Sequence, residues 1–141
     1  MNLTAHRAGA VGADPDAAMP VATRTADDGV AAMRVEYRRQ LIRIAADDLF
    51  SASPTELYPA VASALADLAG AALEAGLAIA RAGEPAHEAV RIAIIGMGKC
   101  GGRELNYVSD VDVVYVVEAT EGHDDEEALK VGARLAAVAA R

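Results

Sequence analysis

The sequence is poor in cysteine, in aromatic side chains and in positive charge. Its one cysteine, Cys100, has no partner for an intramolecular disulfide and cannot build a thiolate zinc cage. A reducing compartment suits such a chain. Tryptophan is absent and aromatics make up 4% of the residues, so Phe50 and the tyrosines form no stacking platform for bases. Lys and Arg number 13 against 21 Asp and Glu, giving a net charge of -8 and a pI near 4.8. That balance argues against a duplex-binding surface, which needs a basic stripe, and no nucleic-acid partner is expected. The opening run MNLTAHRAGAVGADPD lacks the apolar stretch of a secretory signal. The most apolar segment, Ala60 to Ala80, is interrupted by Asp67 and Glu74, so no membrane span is expected. The cytoplasm is the expected location. His6, His87 and His123 lie far apart and suggest no metal triad.

What is present is alanine, valine, leucine and isoleucine. With 141 residues and 53% hydrophobic content, the chain can bury a core, and small side chains favour closely packed helices. Residues 1–28, with Pro15 and Pro20 and no period, read as a loose leader. Residues 29–83 read as a helical hairpin. In its first helix, Gly29 to Phe50, Tyr37, Leu41, Ile44 and Ala45 share a face, which Val35, Ile42 and Leu49 widen. Arg34, Arg38, Arg39 and Arg43 occupy the other side, and Arg43 can pair with Asp47. Ser53-Pro54-Thr55-Glu56 is a helix start, with Ser53 as cap and Pro54 in the first turn. Leu57, Val61, Leu65, Leu68 and Ala72 form the next stripe, and Gly83 ends that helix. A last helix, capped by Asp124 or Asp125, runs to Arg141 with Val131, Leu135 and Val138 on its apolar face.

Between these helices lies the stretch that carries chemistry, RIAIIGMGKCGGRELNYVSDVDVVYVVE, from Arg91 to Glu118. It reads as strand, glycine loop, short helix, strand. Asp110 and Asp112 alternate along the second strand, which places both carboxylates on one face. Two adjacent carboxylates repel, and a hard divalent cation such as Mg²⁺ resolves the conflict, commonly with phosphate oxygens as further ligands. Gly101 and Gly102, set before the short helical segment, let backbone amides approach a phosphate. Lys99 and Arg103 are candidate phosphate contacts, and Ser109 either donates to phosphate or fixes the turn. Together these make a candidate nucleotidyl-transfer site.

A second pattern competes. Gly96-Met97-Gly98-Lys99-Cys100-Gly101 is a formal G-x-G-x-x-G, and Glu118 follows 22 residues after Gly96, as in a dinucleotide-binding unit. Only Gly102 to Ser109 remain for the crossover, fewer than the roughly 10–12 residues a parallel connection needs. Asp110 and Asp112 would also be left without a role.

The run GMGKCGGRELNYVSDVDVVYV resembles the signature of the glutamine synthetase adenylyltransferase/adenylyl-removing family. The helix YRRQLIRIAADDL and the Ala/Leu helix after it are also similar, so the resemblance covers Val30 to Arg141. It implies an α+β architecture, a partial nucleotidyltransferase (polymerase-beta-like) fold over residues 91–141 behind the N-terminal helical hairpin. It implies adenylyl transfer to and from a tyrosine of glutamine synthetase, with ATP, ADP and phosphate as small-molecule partners. The Met-Gly-Lys and Glu-Leu-Asn wording looks more like the family's N-terminal copy, which removes AMP by phosphorolysis. Asp110 and Asp112 match the family's metal carboxylates, and Gly101 and Gly102 its phosphate loop. Cys100 stands where the family usually has leucine and reads as packing. The family's third carboxylate, its regulatory domain and its second catalytic domain have no counterpart here. The expectation is a fragment holding half a metal site, inactive alone, with any contact to the PII signalling protein made through regions outside it. A non-catalytic interaction module, docking through exposed helices or an open strand edge beside Val113 to Val117, is the alternative.

Overall fold

In the computed structural model, residues 26–140 are described. Of the expected leader, residues 1–28, positions 1–25 lie outside the described residues, as does Arg141, while positions 26–28 already belong to the first helix. The elements are α1 (Ala26–Leu49), α2 (Pro54–Gly83), a 3-10 turn (His87–Ala89), β1 (Val90–Gly96), the one-turn helix α3 (Gly98–Gly101), β2 (Val113–Ala119) and α4 (Asp125–Ala139). This is an α+β arrangement with one small sheet.

α2 is the spine. Its alanine-rich sequence presents two different faces to two different partners. Leu57, Val61, Ala64, Leu65 and Leu68 pack with Ile44 of α1 and with Leu105 from the loop after α3. Further along, Leu77 and Ala80 pack with Val90, Ala128, Val131 and Leu135, bringing the sheet and α4 onto the same helix. At 30 residues α2 is long and apolar enough, by length and composition, to cross a membrane, yet 56% of its most apolar window is buried inside the protein. The Asp67 and Glu74 interruptions therefore do not remove it from that class. Pro54 opens the helix as expected, but Ser53 at the cap position makes no side-chain cap hydrogen bond.

α1 buries the expected face at Ile44, with Leu41 packed beside it, but leaves the residues expected to widen that face uncovered. Ile44 and Gln40 point into the core, the latter donating to Glu36 Oε1 at 2.7 Å. Val35, Ile42 and Leu49 are 65%, 68% and 80% exposed. At 100° per residue they form a line on the side opposite Gln40 and Ile44, so a single partner helix cannot cover both. The expected Arg43–Asp47 pair does not form. Glu36 instead holds Arg39, with Oε1 2.6 Å from Nη2, and this pairing lowers the Glu36 pKa.

β1 and β2 pair antiparallel, from Val90↔Ala119 through Ile94↔Tyr115 to Gly96↔Val113. This overturns the dinucleotide reading, which requires a parallel crossover. Alternation sends Ile92, Ile94, Tyr115 and Val117 toward α2 and α4, while Ala93, Ile95, Val114 and Val116 form an open face. Val114 and Val116 remain half-exposed there. The Tyr115 hydroxyl is buried without a hydrogen-bond partner. Among the described residues the sheet has only these strands, so both outer edges are unpaired.

α4 starts where Asp124 accepts from the backbone of Glu126 and Glu127 at 3.0 and 3.1 Å. Val131 and Leu135 are each 1% exposed. Val138, expected on the same face, is 45% exposed. Close contact with the sheet comes from Gly132, where a Cβ would stand 2.7 Å from both Val117 methyls.

Candidate functional site

The loop from Met97 to Asp112 joins the two strands at one end of the pair. Its first turn is tight. Met97 donates to the Asp112 carbonyl at 2.8 Å, which extends the strand pairing one step past Gly96↔Val113. The short helix is Gly98–Gly101, so Gly101 and Gly102 close it and do not precede it, as the sequence reading had them. Their amides are engaged: Gly101 donates to Met97 O at 3.0 Å and Gly102 to Gly98 O at 2.9 Å. Arg103 and Glu104 follow suit, donating to Cys100 O and Lys99 O at 3.1 and 2.8 Å. In this conformation Gly101 and Gly102 present no free amide to a phosphate. Gly101 is required for another reason, since a Cβ there would lie 2.9 Å from the Gly96 carbonyl carbon and closer still to its oxygen. Cys100 is half-buried against the helical core, and burial raises its thiol pKa; it packs, as expected.

Asp110 and Asp112 do not lie within the second strand. β2 begins at Val113, and the two carboxylates sit on the lead-in to it, both exposed. Strand alternation puts Asp112 on the open face with Val114 and Val116. An Asp112 carboxylate oxygen lies over Gly98, 3.5 Å from where a Cβ would be. Neither carboxylate is held by a hydrogen bond or ion pair among the described residues. Lys99 and Ser109, by contrast, are brought together: Lys99 Nζ is 3.2 Å from Ser109 Oγ and 3.5 Å from Asn106 Oδ1.

Arg103 is turned away from this end. Its backbone is left-handed at φ 59°, a conformation that costs a non-glycine residue about 1–2 kcal/mol. Its guanidinium reaches α2, donating to Asp67 Oδ1 and Oδ2 at 2.6 and 2.7 Å and to Ser63 Oγ at 2.5 and 3.0 Å. It is therefore not offered to a phosphate at the carboxylates. Sequence reasoning did not single out Ser63 for any role, and it gave Asp67 none beyond interrupting an apolar helix. Their spacing of one helical turn on α2 was the available signal. Asp48, which accepts from the Tyr107 hydroxyl at 2.9 Å, was likewise given no role, and no local spacing marks it.

Two free, solvent-facing carboxylates are hard oxygen donors of the kind Mg²⁺ takes one or two at a time, the rest of its shell being water and phosphate. Among the described residues no group of three or more His, Cys, Asp or Glu side chains could hold a metal. The donor set thus fits an ion shared with a phosphate ligand and does not make a complete protein cage.

Comparison with known proteins bears on what this end of the chain is for. No solved structure matches. A family model described as glutamate-ammonia ligase adenylyltransferase matches residues 6–139. A bifunctional glutamine synthetase adenylyltransferase/adenylyl-removing enzyme of Bifidobacterium longum subsp. infantis is 51% identical over 128 residues, covering 89% of this chain and 12% of the relative. The enzyme of that name from Cutibacterium acnes is 45% identical over 132 residues, covering 93% and 13%. That from Streptomyces avermitilis is 51% identical over 105 residues, covering 74% and 10%. The chain thus spans about an eighth of the length of these curated relatives. The match runs through both helices of the hairpin, the glycine turn and the two carboxylates, and on it the chain belongs to the glutamate-ammonia ligase adenylyltransferase family.

Proposed function

We propose that this stretch supplies the metal-binding half of a Mg²⁺-dependent nucleotidyl-transfer site that acts on an adenylylated tyrosine of glutamine synthetase. The observation that carries the reading is the pair of unengaged carboxylates, Asp110 and Asp112, at the open end of the strand pair beside the glycine turn. Asp110 and Asp112 hold the cation and keep its remaining positions facing solvent. Bound there, Mg²⁺ would supply charge neutralisation and orientation of the transferred phosphoryl group. Lys99, tied to Ser109, keeps a positive charge on the same loop and is the cation nearest in sequence to the turn. The wording of the glycine turn favours the AMP-removing direction, with phosphate as acceptor and ADP as product. The third carboxylate and the tyrosine-binding surface come from elsewhere in the enzyme, as does any regulation through PII, and this chain alone is inactive. The cytoplasm is the proposed compartment.

Calorimetry of Mg²⁺ with ADP or ATP tests the site on the 141-residue chain and on Asp110→Asn/Asp112→Asn. Metal-dependent binding that disappears in the double variant supports the reading. Equal binding by both proteins refutes it. Sustained removal of AMP from adenylylated glutamine synthetase by this chain alone would sink the half-site. A second reading, a non-catalytic docking module, rests on the exposed line Val35, Ile42 and Leu49. It is favoured if no nucleotide binds and truncating that line to alanine abolishes assembly.

A further inference from the structure

The segment between the glycine turn and the carboxylates runs across the helical hairpin, and it is pinned there at alternate residues. Arg103 reaches Ser63 and Asp67 on α2. Leu105 is 6% exposed and belongs to the α1–α2 core. Tyr107 donates to Asp48 on α1. Glu104, Asn106 and Val108, the residues that alternate with them, face solvent. Lys99 then ties the turn to the arm through Asn106 and Ser109.

We infer that Asp67 and Ser63 are positioning residues for the candidate metal site, acting through Arg103; the inference rests on the nucleotidyl-transfer reading above. A two-stranded sheet end is a loose platform by itself. The loop leaves it at Met97 and returns at Asp112, and the strand pairing alone does not fix where the intervening residues lie. The Arg103 fork does so in a way a single contact could not. Two nitrogens meet both oxygens of Asp67 while Ser63, one turn earlier on the same face of α2, accepts from the same guanidinium. Bidentate geometry fixes orientation as well as distance. It also holds Arg103 in its left-handed backbone conformation, which aims the chain from the turn toward Leu105. The pair is partly solvated, with the Arg103 and Asp67 side chains 58% and 34% exposed, so it contributes little to folding. Its effect is on where the arm and Asp110 stand relative to the turn, to which Asp112 is already tied by the Met97 bond.

The test uses the 141-residue chain with Asp67→Asn, Asp67→Glu, Ser63→Ala, Arg103→Gln and Arg103→Lys. Three quantities are read: hydrogen exchange at the Arg103 and Glu104 amides, Mg²⁺-ADP affinity by calorimetry, and the melting midpoint. Asp67→Asn, Arg103→Gln and, to a smaller degree, Ser63→Ala are expected to speed exchange at those two amides and to weaken Mg²⁺-ADP binding, the first two by about tenfold or more, because loss of sub-ångström placement is costly at such sites. The melting midpoint stays close to that of the unmodified chain. Arg103→Lys, which keeps the charge but loses the fork, recovers little affinity, and Asp67→Glu recovers more than Asp67→Asn. Unchanged exchange and affinity overturn the inference. So does faster exchange with unchanged affinity, since the tether would then hold the loop without positioning the site. If the unmodified chain binds no Mg²⁺-ADP, the nucleotidyl-transfer reading falls, taking the positioning role with it. The exchange data then decide only whether Asp67 and Ser63 hold the loop.

Discussion

Gly101 and Gly102 are adjacent, look alike in sequence and should respond differently to alanine. At Gly101 the added methyl meets backbone, 2.9 Å from the carbonyl carbon of Gly96 and nearer its oxygen. No rotamer relieves that contact, so the turn or β1 must move by roughly 1 Å to restore van der Waals separation. Forcing such a shift in a packed region costs about 1–3 kcal/mol. The turn hangs on the Met97–Asp112 backbone bond, so the displacement passes directly to Asp112. At Gly102 the methyl lies 3.3 Å from Gly98 O, tight but tolerable. Its φ of -77° suits any residue. Alanine there also gains about 0.5–1 kcal/mol of backbone entropy relative to glycine, which offsets the crowding. Urea unfolding followed by circular dichroism measures both. Gly101→Ala is expected to lose about 2 kcal/mol and Gly102→Ala to stay within about 0.5 kcal/mol of the unmodified chain. Equal stabilities for the two variants would refute the argument that the turn is closed by backbone contact at Gly101.

Leu135→Ala removes a side chain 1% exposed at the centre of the α2–sheet–α4 cluster; a loss of about 2–5 kcal/mol in urea unfolding is expected, and a loss below 1 kcal/mol would mean α4 is not part of that core. Tyr115→Phe removes the buried hydroxyl that lacks a partner and should stabilise by about 1 kcal/mol; destabilisation would mean the hydroxyl is hydrogen-bonded in solution. The Tyr107 phenol is pushed up to about 12 by burial first, then by its hydrogen bond to Asp48 and that carboxylate's charge. A folded-state value above the ordinary 10 means the contribution is fully present below pH 10 and is lost as pH rises from 10 to 12. Tyr107 is 42% exposed, so solvent screening limits the loss to about 1 kcal/mol. The stability difference between the unmodified chain and Tyr107→Phe should shrink over that range, and a constant difference would refute the raised pKa.

The helices were largely legible because periodicity and capping are local. Pro54 and Asp124 open helices where the sequence places them, and the stripe Leu57, Val61, Leu65, Leu68 is buried as a stripe should be. The stretch around the glycines was legible as strand, turn and strand because glycine clusters and β-branched runs punctuate a chain without help from distant residues. The line Val35, Ile42, Leu49 was misread because amphipathicity shows that a face is apolar and not which partner covers it. Only the direction of α2 decides that.

The sequence by itself determined the family signature, the two carboxylates and their separation of one residue, since these are facts of covalent order. Tertiary structure alone decided what surrounds them. It began the strand only at Val113 and left both carboxylates free on its lead-in. It closed the amides of Gly101 and Gly102 within their own turn. It sent Arg103 to Asp67, 36 residues earlier in the chain. Contacts at that separation depend on how two helices and a strand pair are stacked, and no local pattern encodes them.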